Sequence, residues 1–568
     1  MCDGSGSAWA SLLPVIIAFM SDRSSPRTSE RPFRPRCLSI DLEVGLRSGR
    51  IRQLAAVRGD SGERLHCRAG DLAGALARLD ALAEGCRFVL GHNLLAFDRP
   101  HLATVAPSLR LLELPVIDTL WLNPLAFPRH PYHHLVKHYQ DGGLRRAQVN
   151  DPLLDAQLTL DLFHDQVRAL LRQQREEPDL MLAWHWLTTS GHLPAAVDHL
   201  FTTLRRRTRP DDVEARQAIS RLLADRGCAQ HALRVVDEAA ASGWSLAYAL
   251  AWLSVAGGNS VLPPWVRQQF PVAGKLIRHL RDEACGQADC RWCGEHLDAR
   301  RQLRRWFGFS AFRSQPAATD GHSLQQRIVE AALRGEHLLA ILPTGTGKSL
   351  CYQIPALSRF TRIGALSVVI SPLVALMADQ VAGMRSRGID ACVAINGLLS
   401  MPERADALDR VRLGDVGIVI VSPEQLRNPM LRKVLAQREI GAWILDEAHC
   451  LSKWGHDFRP DYRYVARFIR EKAGDDPVPP VMCLTATAKP DVVADIVGHF
   501  ADRVGVDLCC FDGGASRHNL DFAVLPTTPA EKLAHIHDLL AAGLPCDGPG
   551  GAIVYCATRG NSEEVAAF

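Results

Sequence analysis

The stretch LLAILPTGTGKSLCYQIPAL, residues 338–357, constrains this chain more than any other. An apolar run leads into a glycine-rich turn, and an amphipathic run with helical spacing follows it, so the segment reads as strand, loop and helix. Gly345 and Gly347 let the backbone approach an anion, and the first amides of the helix donate to it. Lys348 then offsets β/γ-phosphate charge, Ser349 ligates magnesium, and Thr344 and Thr346 complete an ATP-binding loop. Downstream, AWILDEAHC is an apolar strand ending in two carboxylates. Asp446 suits the magnesium shell, and Glu447 suits the polarisation of an attacking water. Two such signatures in this order predict a parallel α/β domain that binds and hydrolyses a nucleoside triphosphate.

The rest of the chain is too long for one core. At 568 residues, three or four domains are expected. A hydrophobic content of 47% with 22% charged residues is that of an ordinary globular protein, and a net charge of +3 gives no global attraction to nucleic acid. Sixteen cysteines, scattered except for one cluster, suit a reducing cytoplasmic compartment. The apolar stretch from Ala8 to Met20 follows Asp3, is interrupted by Pro14 and is too short to span a bilayer. Residues 1–36 are therefore expected to be a disordered leader, with no membrane association. Residues 37–172 alternate strand-like and helical runs, residues 173–280 form a helical spacer, residues 281–302 a cysteine knuckle, and residues 303–514 the nucleotide domain. Residues 515–568 start a second, truncated α/β domain with a strand at AIVYCA.

The decisive stretch within the motor is DEAHCLSKWGHDFRPDYRYV, and it resembles the RecQ family of DExH-box helicases. The resemblance runs from Trp306 to Phe568. It implies RecA-like domains, 3′–5′ DNA unwinding driven by ATP, and a loop coupling single-stranded DNA to hydrolysis through Trp454, His456, Phe458 and Arg459. Exposed aromatics beside an arginine make a stacking platform with a phosphate partner, which agrees. Ser371 and Pro372, Ser422 and Glu424, and Thr485 and Thr487 follow the family's order at strand ends. RRWFGFSAFR resembles the start of the family's adenine-reading motif, but SQPAATDGHS interrupts it. Counting back from the phosphate loop selects Gln325 as the adenine reader and leaves Gln315 open.

Near the N-terminus, LSIDLE places Asp41 and Glu43 on one face of a strand, because strand side chains alternate. Asp98 in GHNLLAFDRPHL and Asp155 in NDPLLDAQLTLDLF complete four carboxylates. Their order resembles the DEDD exonucleases of the ribonuclease H-like fold. That resemblance implies magnesium or manganese held by Asp41, Glu43, Asp98 and Asp155, and 3′–5′ phosphodiester hydrolysis. It departs at the general base, where the histidine-bearing subgroup's position is Asn150 and the tyrosine-bearing subgroup's is Asp151. His101, His133 and His164 are the remaining candidates.

ACGQADCRWCGEH spaces Cys285, Cys290, Cys293 and His296 closely enough for one tetrahedral zinc ion. The whole reads as an α/β multidomain DNA-processing enzyme, acting on single strands and duplex junctions in repair or recombination. The alternative is an ATP-switched DNA-binding protein with a catalytically silent nuclease-like domain.

Overall fold

CLSIDLEV forms the first strand, β1 (Cys37–Val44), and its alternating Leu38, Ile40 and Leu42 are buried on one side. The computed structural model describes residues 35–568 apart from 46–47, 69, 131–150, 191–194, 257–260, 453–458, 487–488, 515–520, 522 and 545–549. Strand β1 pairs antiparallel with β2 (Ile51–Arg58), which pairs antiparallel with β3 (Arg64–Arg68). On its other side β1 runs parallel to β4 (Phe88–Gly91), and β4 to β5 (Val116–Asp118). The helix Pro152–Glu176 covers this mixed sheet. Asp151 caps it by accepting from Leu153 N at 3.1 Å and Leu154 N at 3.3 Å, and Pro152 fixes its first turn.

Helices fill the chain from Pro178 to Phe307. Trp184, Trp186 and Tyr248 are buried here, and Tyr248 reaches back to donate to Trp121 O at 3.1 Å. The core so formed extends from Cys37 and Val57 in the first sheet, through the helices, to Ile363 and Ala365 beside the second sheet.

That second sheet has seven parallel strands. In chain order these are β6 (Leu338–Ile341), β7 (Leu366–Ile370), β8 (Cys392–Ile395), β9 (Ile418–Val421), β10 (Ile440–Leu445), β11 (Val481–Thr485) and β12 (Cys509–Asp512). Their spatial order is β12-β6-β11-β10-β7-β9-β8. β6, β7, β9 and β11 are buried throughout, as parallel strands covered on both faces require. Beneath it, Arg438 is 1% exposed and spends its guanidinium on the carbonyls of Val411, Val416 and Gly364. Among the described residues no helix is long and apolar enough to cross a membrane.

Residues 515–568 form a separate unit. It contains the helices Lys532–Gly543 and Arg559–Ala567. The strand expected at AIVYCA is not formed; Ile553 is 79% and Tyr555 89% exposed. A strand is defined by its neighbour, and this run has none within its unit among the described residues.

Arg438→Ala should lower stability by on the order of 3 kcal/mol, because several buried carbonyls lose their donor at once. The shift of the chemical denaturation midpoint measures it.

Candidate functional site

The C-terminal ends of the parallel strands carry the phosphate loop and the paired carboxylates. Strand β6 runs into Pro343 and the loop up to Gly347, and the helix Lys348–Ile363 starts at the lysine itself. Gly345 and Gly347 both have φ of 84°, a left-handed conformation that glycine adopts freely. Gln325, 2% exposed, donates through Nε2 to Thr346 O at 3.2 Å and Gly347 O at 3.0 Å. Its Oε1 accepts from Arg313 N at 3.3 Å, and Arg313 in turn donates to Gly345 O at 2.7 Å. Gln325 is thus built against the phosphate loop, whereas Gln315 is exposed.

Two strands away, β10 delivers Asp446. Tyr462 is fully buried and donates its hydroxyl to Asp446 O at 2.7 Å, fixing the backbone. Burial, then the neighbouring Glu447, pushes the Asp446 carboxyl up to about 6, and Lys348 pulls it back. Glu447 has φ of 48°, a rare conformation for a side chain with Cβ. Its amide donates to Asp446 Oδ1 at 3.1 Å, and its carboxylate lies 3.3 Å from His449 Nδ1. The histidine contact lowers Glu447, with Lys348 adding to it, while Cys450 and Glu447 raise His449 to about 10. His449 Nδ1 also lies 3.0 Å from Thr485 Oγ1 at the end of β11. The same imidazole therefore touches the carboxylate and the neighbouring strand end. Gln380, which the sequence did not single out, donates to Asp446 Oδ2 at 3.5 Å and accepts from Tyr352 on the phosphate-loop helix.

Of the loop expected to meet DNA, Trp454, His456 and Phe458 lie outside the described residues, as does Thr487. Arg459 is half-buried and donates to Pro372 O at 2.9 Å, joining the end of that loop to the turn after β7.

In the first sheet, Asp41, Glu43 and Asp155 each bring a carboxylate oxygen within 4.8 Å of the others. Ser39 Oγ donates to Ala156 O at 2.7 Å, which holds β1 against the helix carrying Asp155. Asp98 is not in this trio. It is 2% exposed, accepts from Leu42 N at 3.1 Å, and is raised well above the carboxylate range by burial and by Asp41. Asp118, missed in the sequence, organises the turn before Asp98 by accepting from Asn93 N at 2.9 Å and Leu95 N at 3.0 Å. Asp151 is committed to capping its helix, and Asn150 and His133 lie outside the described residues. Acceptor-only oxygens crowded together suit a hard divalent cation, which relieves their repulsion.

The cysteine cluster differs from the expected set at one position. Cys228, Cys285, Cys290 and Cys293 place their sulfurs within 4.8 Å of one another, and His296 is not among them. The His296 ring packs 4.0 Å from Trp292, and burial pushes it down to about 4. Cys228 comes from the helical segment, where its amide donates to Leu280 O at 2.8 Å. Sequence spacing offered no signal for a cysteine so far upstream joining the cluster.

The model of the family described as DEAD/DEAH box helicase matches residues 322–496, the region that holds the phosphate loop, Asp446 and Glu447. The chain carries a RecQ-like DEAD/DEAH box helicase domain. It is 35% identical over 265 residues to a probable ATP-dependent DNA helicase RecS of Bacillus subtilis, covering 46% of this chain and 48% of that protein. It is 33% identical over 264 residues to the ATP-dependent DNA helicase RecQ of Haemophilus influenzae, covering 46% and 38%. To the RecQ of Bacillus subtilis it is 38% identical over 223 residues, covering 39% and 34%. The chain thus spans less than half the length of these relatives. Among solved structures, the helicase MrfA aligns over 48% of this chain and 40% of its own at 20% identity, with a TM-score of 0.36.

Within the helicase domain, a Cβ on Gly347 would stand 2.7 Å from Gln325 Nε2. Gly347→Ala should weaken affinity for a fluorescent ATP analogue about tenfold or more, since a left-handed alanine costs roughly 1–2 kcal/mol before the clash is counted. Unchanged affinity would show that the loop leaves this conformation when ATP binds.

Proposed function

We propose that the chain is the ATP-binding part of a 3′–5′ DNA helicase motor. The observation that carries this is the convergence of the Lys348 loop with Asp446 and Glu447 at the same edge of one parallel sheet, close enough that Lys348 acts on both carboxyls. In this reading the loop amides and Lys348 bind the phosphates, Gln325 beside the loop is the adenine reader, and Glu447 orients water, with His449 favouring the ionised form of its carboxylate. Ser349 and Asp446 would hold magnesium, which supplies neutralisation of phosphate charge when bound. Trp454, His456, Phe458 and Arg459 provide the single-stranded DNA contact, and the tie from Arg459 to Pro372 gives that loop a route to the strand ends.

To this motor we join a metal-dependent 3′–5′ exonuclease site of ribonuclease H-like type in residues 37–172. The trio Asp41, Glu43 and Asp155 supports it, with Asp98 alongside. These residues would hold magnesium or manganese, which supplies an activated water and a Lewis acid when bound. Zinc belongs to the four thiolates. Zn–S bonds of about 2.3 Å in a tetrahedron set sulfurs about 3.8 Å apart. The Cys228–Cys290 and Cys285–Cys293 separations are 3.7 Å and 3.6 Å, far beyond a disulfide bond of about 2.05 Å.

Lys348→Ala should abolish nucleotide binding, whereas Glu447→Gln should bind ATP and fail to hydrolyse it. Turnover measured with single-stranded DNA and with RNA, in a chain extended to the relatives' full length, tests both. Wild-type turnover by Lys348→Ala would overturn the motor, and stimulation by RNA alone would overturn DNA as its track. For the second site, end-labelled single-stranded DNA with magnesium or manganese should be shortened from its 3′ end. Asp41→Asn should abolish that and most divalent-ion binding, since it removes one charge of three from the trio. Metal binding without cleavage would leave a DNA-end-binding site.

A further inference from the structure

Asp282 lies three residues before Cys285 in the chain, and its side chain is largely enclosed, at 13% exposure. Its carboxylate meets Arg359 Nε at 3.0 Å through Oδ2 and Arg362 Nε at 3.0 Å through Oδ1. Both arginines stand in the last turns of the phosphate-loop helix and are 5% and 1% exposed. On the far side of the cluster, three residues after Cys293, His296 O accepts from Arg362 Nη1 at 2.9 Å and from Ser358 Oγ at 3.3 Å. The knuckle therefore grips the helix from both of its ends. Arg281 fixes its orientation, with its guanidinium 5.5 Å from the Trp252 ring and 5.0 Å from the Trp292 ring.

Arg359 carries the contact further. Its Nη1 donates to Gly441 O at 3.1 Å, at the start of the strand that ends in Asp446. Its Nη2 donates to Ala332 O at 3.3 Å, in the helix that holds Gln325. A Cβ on Gly441 would lie 3.0 Å from Arg359 Cδ, so the approach is close. One guanidinium, oriented by Asp282, thus sets the mutual register of the three elements that present Lys348, Asp446 and Gln325.

We infer that a zinc ion held by Cys228, Cys285, Cys290 and Cys293 fixes Asp282 under Arg359 and Arg362, and thereby sets the affinity of the motor for nucleotide. This rests on the zinc and motor readings above and goes beyond both. Cys228 belongs to the helical segment through its bond to Leu280, and the other three thiolates lie in the short turns between Asp282 and His296. Those turns bury little: none of the residues of the helix Arg291–His296 is fully buried. Without the ion, four thiols at these separations hold the turns by no strong bond. Asp282 and the His296 carbonyl then lose their fixed positions, and Arg359 loses the carboxylate that orients it.

The test uses the whole chain under reducing conditions. Metal analysis should find one zinc per chain, lost in Cys228→Ser. Wild-type protein is stripped with a chelator and returned to magnesium buffer, and its hydrogen exchange and affinity for a fluorescent ATP analogue are measured. Exchange should rise in residues 281–296 and also in 324–333, 348–363 and 440–445. Affinity should fall about tenfold, an ordinary coupling between sites, and zinc alone should restore both. Asp282→Asn should keep its zinc yet show the same loss of affinity; if it does not fold, the exchange pattern of the stripped wild type decides. Exchange confined to 281–296 with unchanged affinity would overturn the coupling and leave the zinc site standing. Absence of zinc, or an iron ion in its place, would overturn the inference together with the zinc reading. Failure of the loaded wild type to bind the analogue would instead count against the motor.

Discussion

A parallel sheet buries both of its faces and can offer chemistry only at its strand ends, and this chain's nucleotide site follows from that constraint. Strands β6, β7, β9, β10 and β11 finish near the loop to Gly347, Ser371, Ser422, Asp446 and Thr485. Residues far apart in sequence meet because their strands are neighbours, as β10 and β11 bring His449 to Thr485 at 3.0 Å. The same burial that makes the sheet stable lifts Asp446 to about 6. A carboxyl so disfavoured as an anion is one that gains from a cation beside it, whether Lys348 or a magnesium ion.

The N-terminal sheet solves a related problem with fewer strands. Asp41 and Glu43 share a face of β1, and Asp155 joins them from a helix whose start is set by Asp151 and Pro152. Ser39 holds the helix, and Asp118 holds the turn that precedes Asp98. Asp98 is raised first by its burial and then by Asp41 beside it.

Local pattern made much of this legible. The phosphate loop, the DEAH strand and the period-two carboxylates each depend on residues a few positions apart, and periodicity reports such spacing directly. Distance from the loop alone sets Gln325 above Gln315 in the sequence, and the structure puts the Gln325 side chain against that loop, on Thr346 O and Gly347 O. What local pattern could not show was pairing across the chain. Cys228 joins its cluster from far upstream, Asp282 finds its partners on a helix of the motor, and Gln380 meets Asp446 from the helix after β7. AIVYCA reads as a strand by composition, but a strand also requires a neighbour to pair with.

The Asp282 cluster shows how such distant pairings bear on chemistry. One carboxylate faces two buried guanidiniums, so the group carries excess positive charge, and the remaining donors must be met by carbonyls. Those carbonyls belong to Gly441, Ala332 and His296, each on a different element. A hydrophobic contact at the same place would hold these elements together but leave them free to slide, since it has no direction. Charged, directional bonds fix a single register instead, and register is what the nucleotide site requires at the other end of the same helix and strand. Through Asp282 and Arg359 the turns around the cysteines are therefore bonded to the phosphate-loop helix and to the strand that ends in Asp446, although they contribute no residue to either strand end.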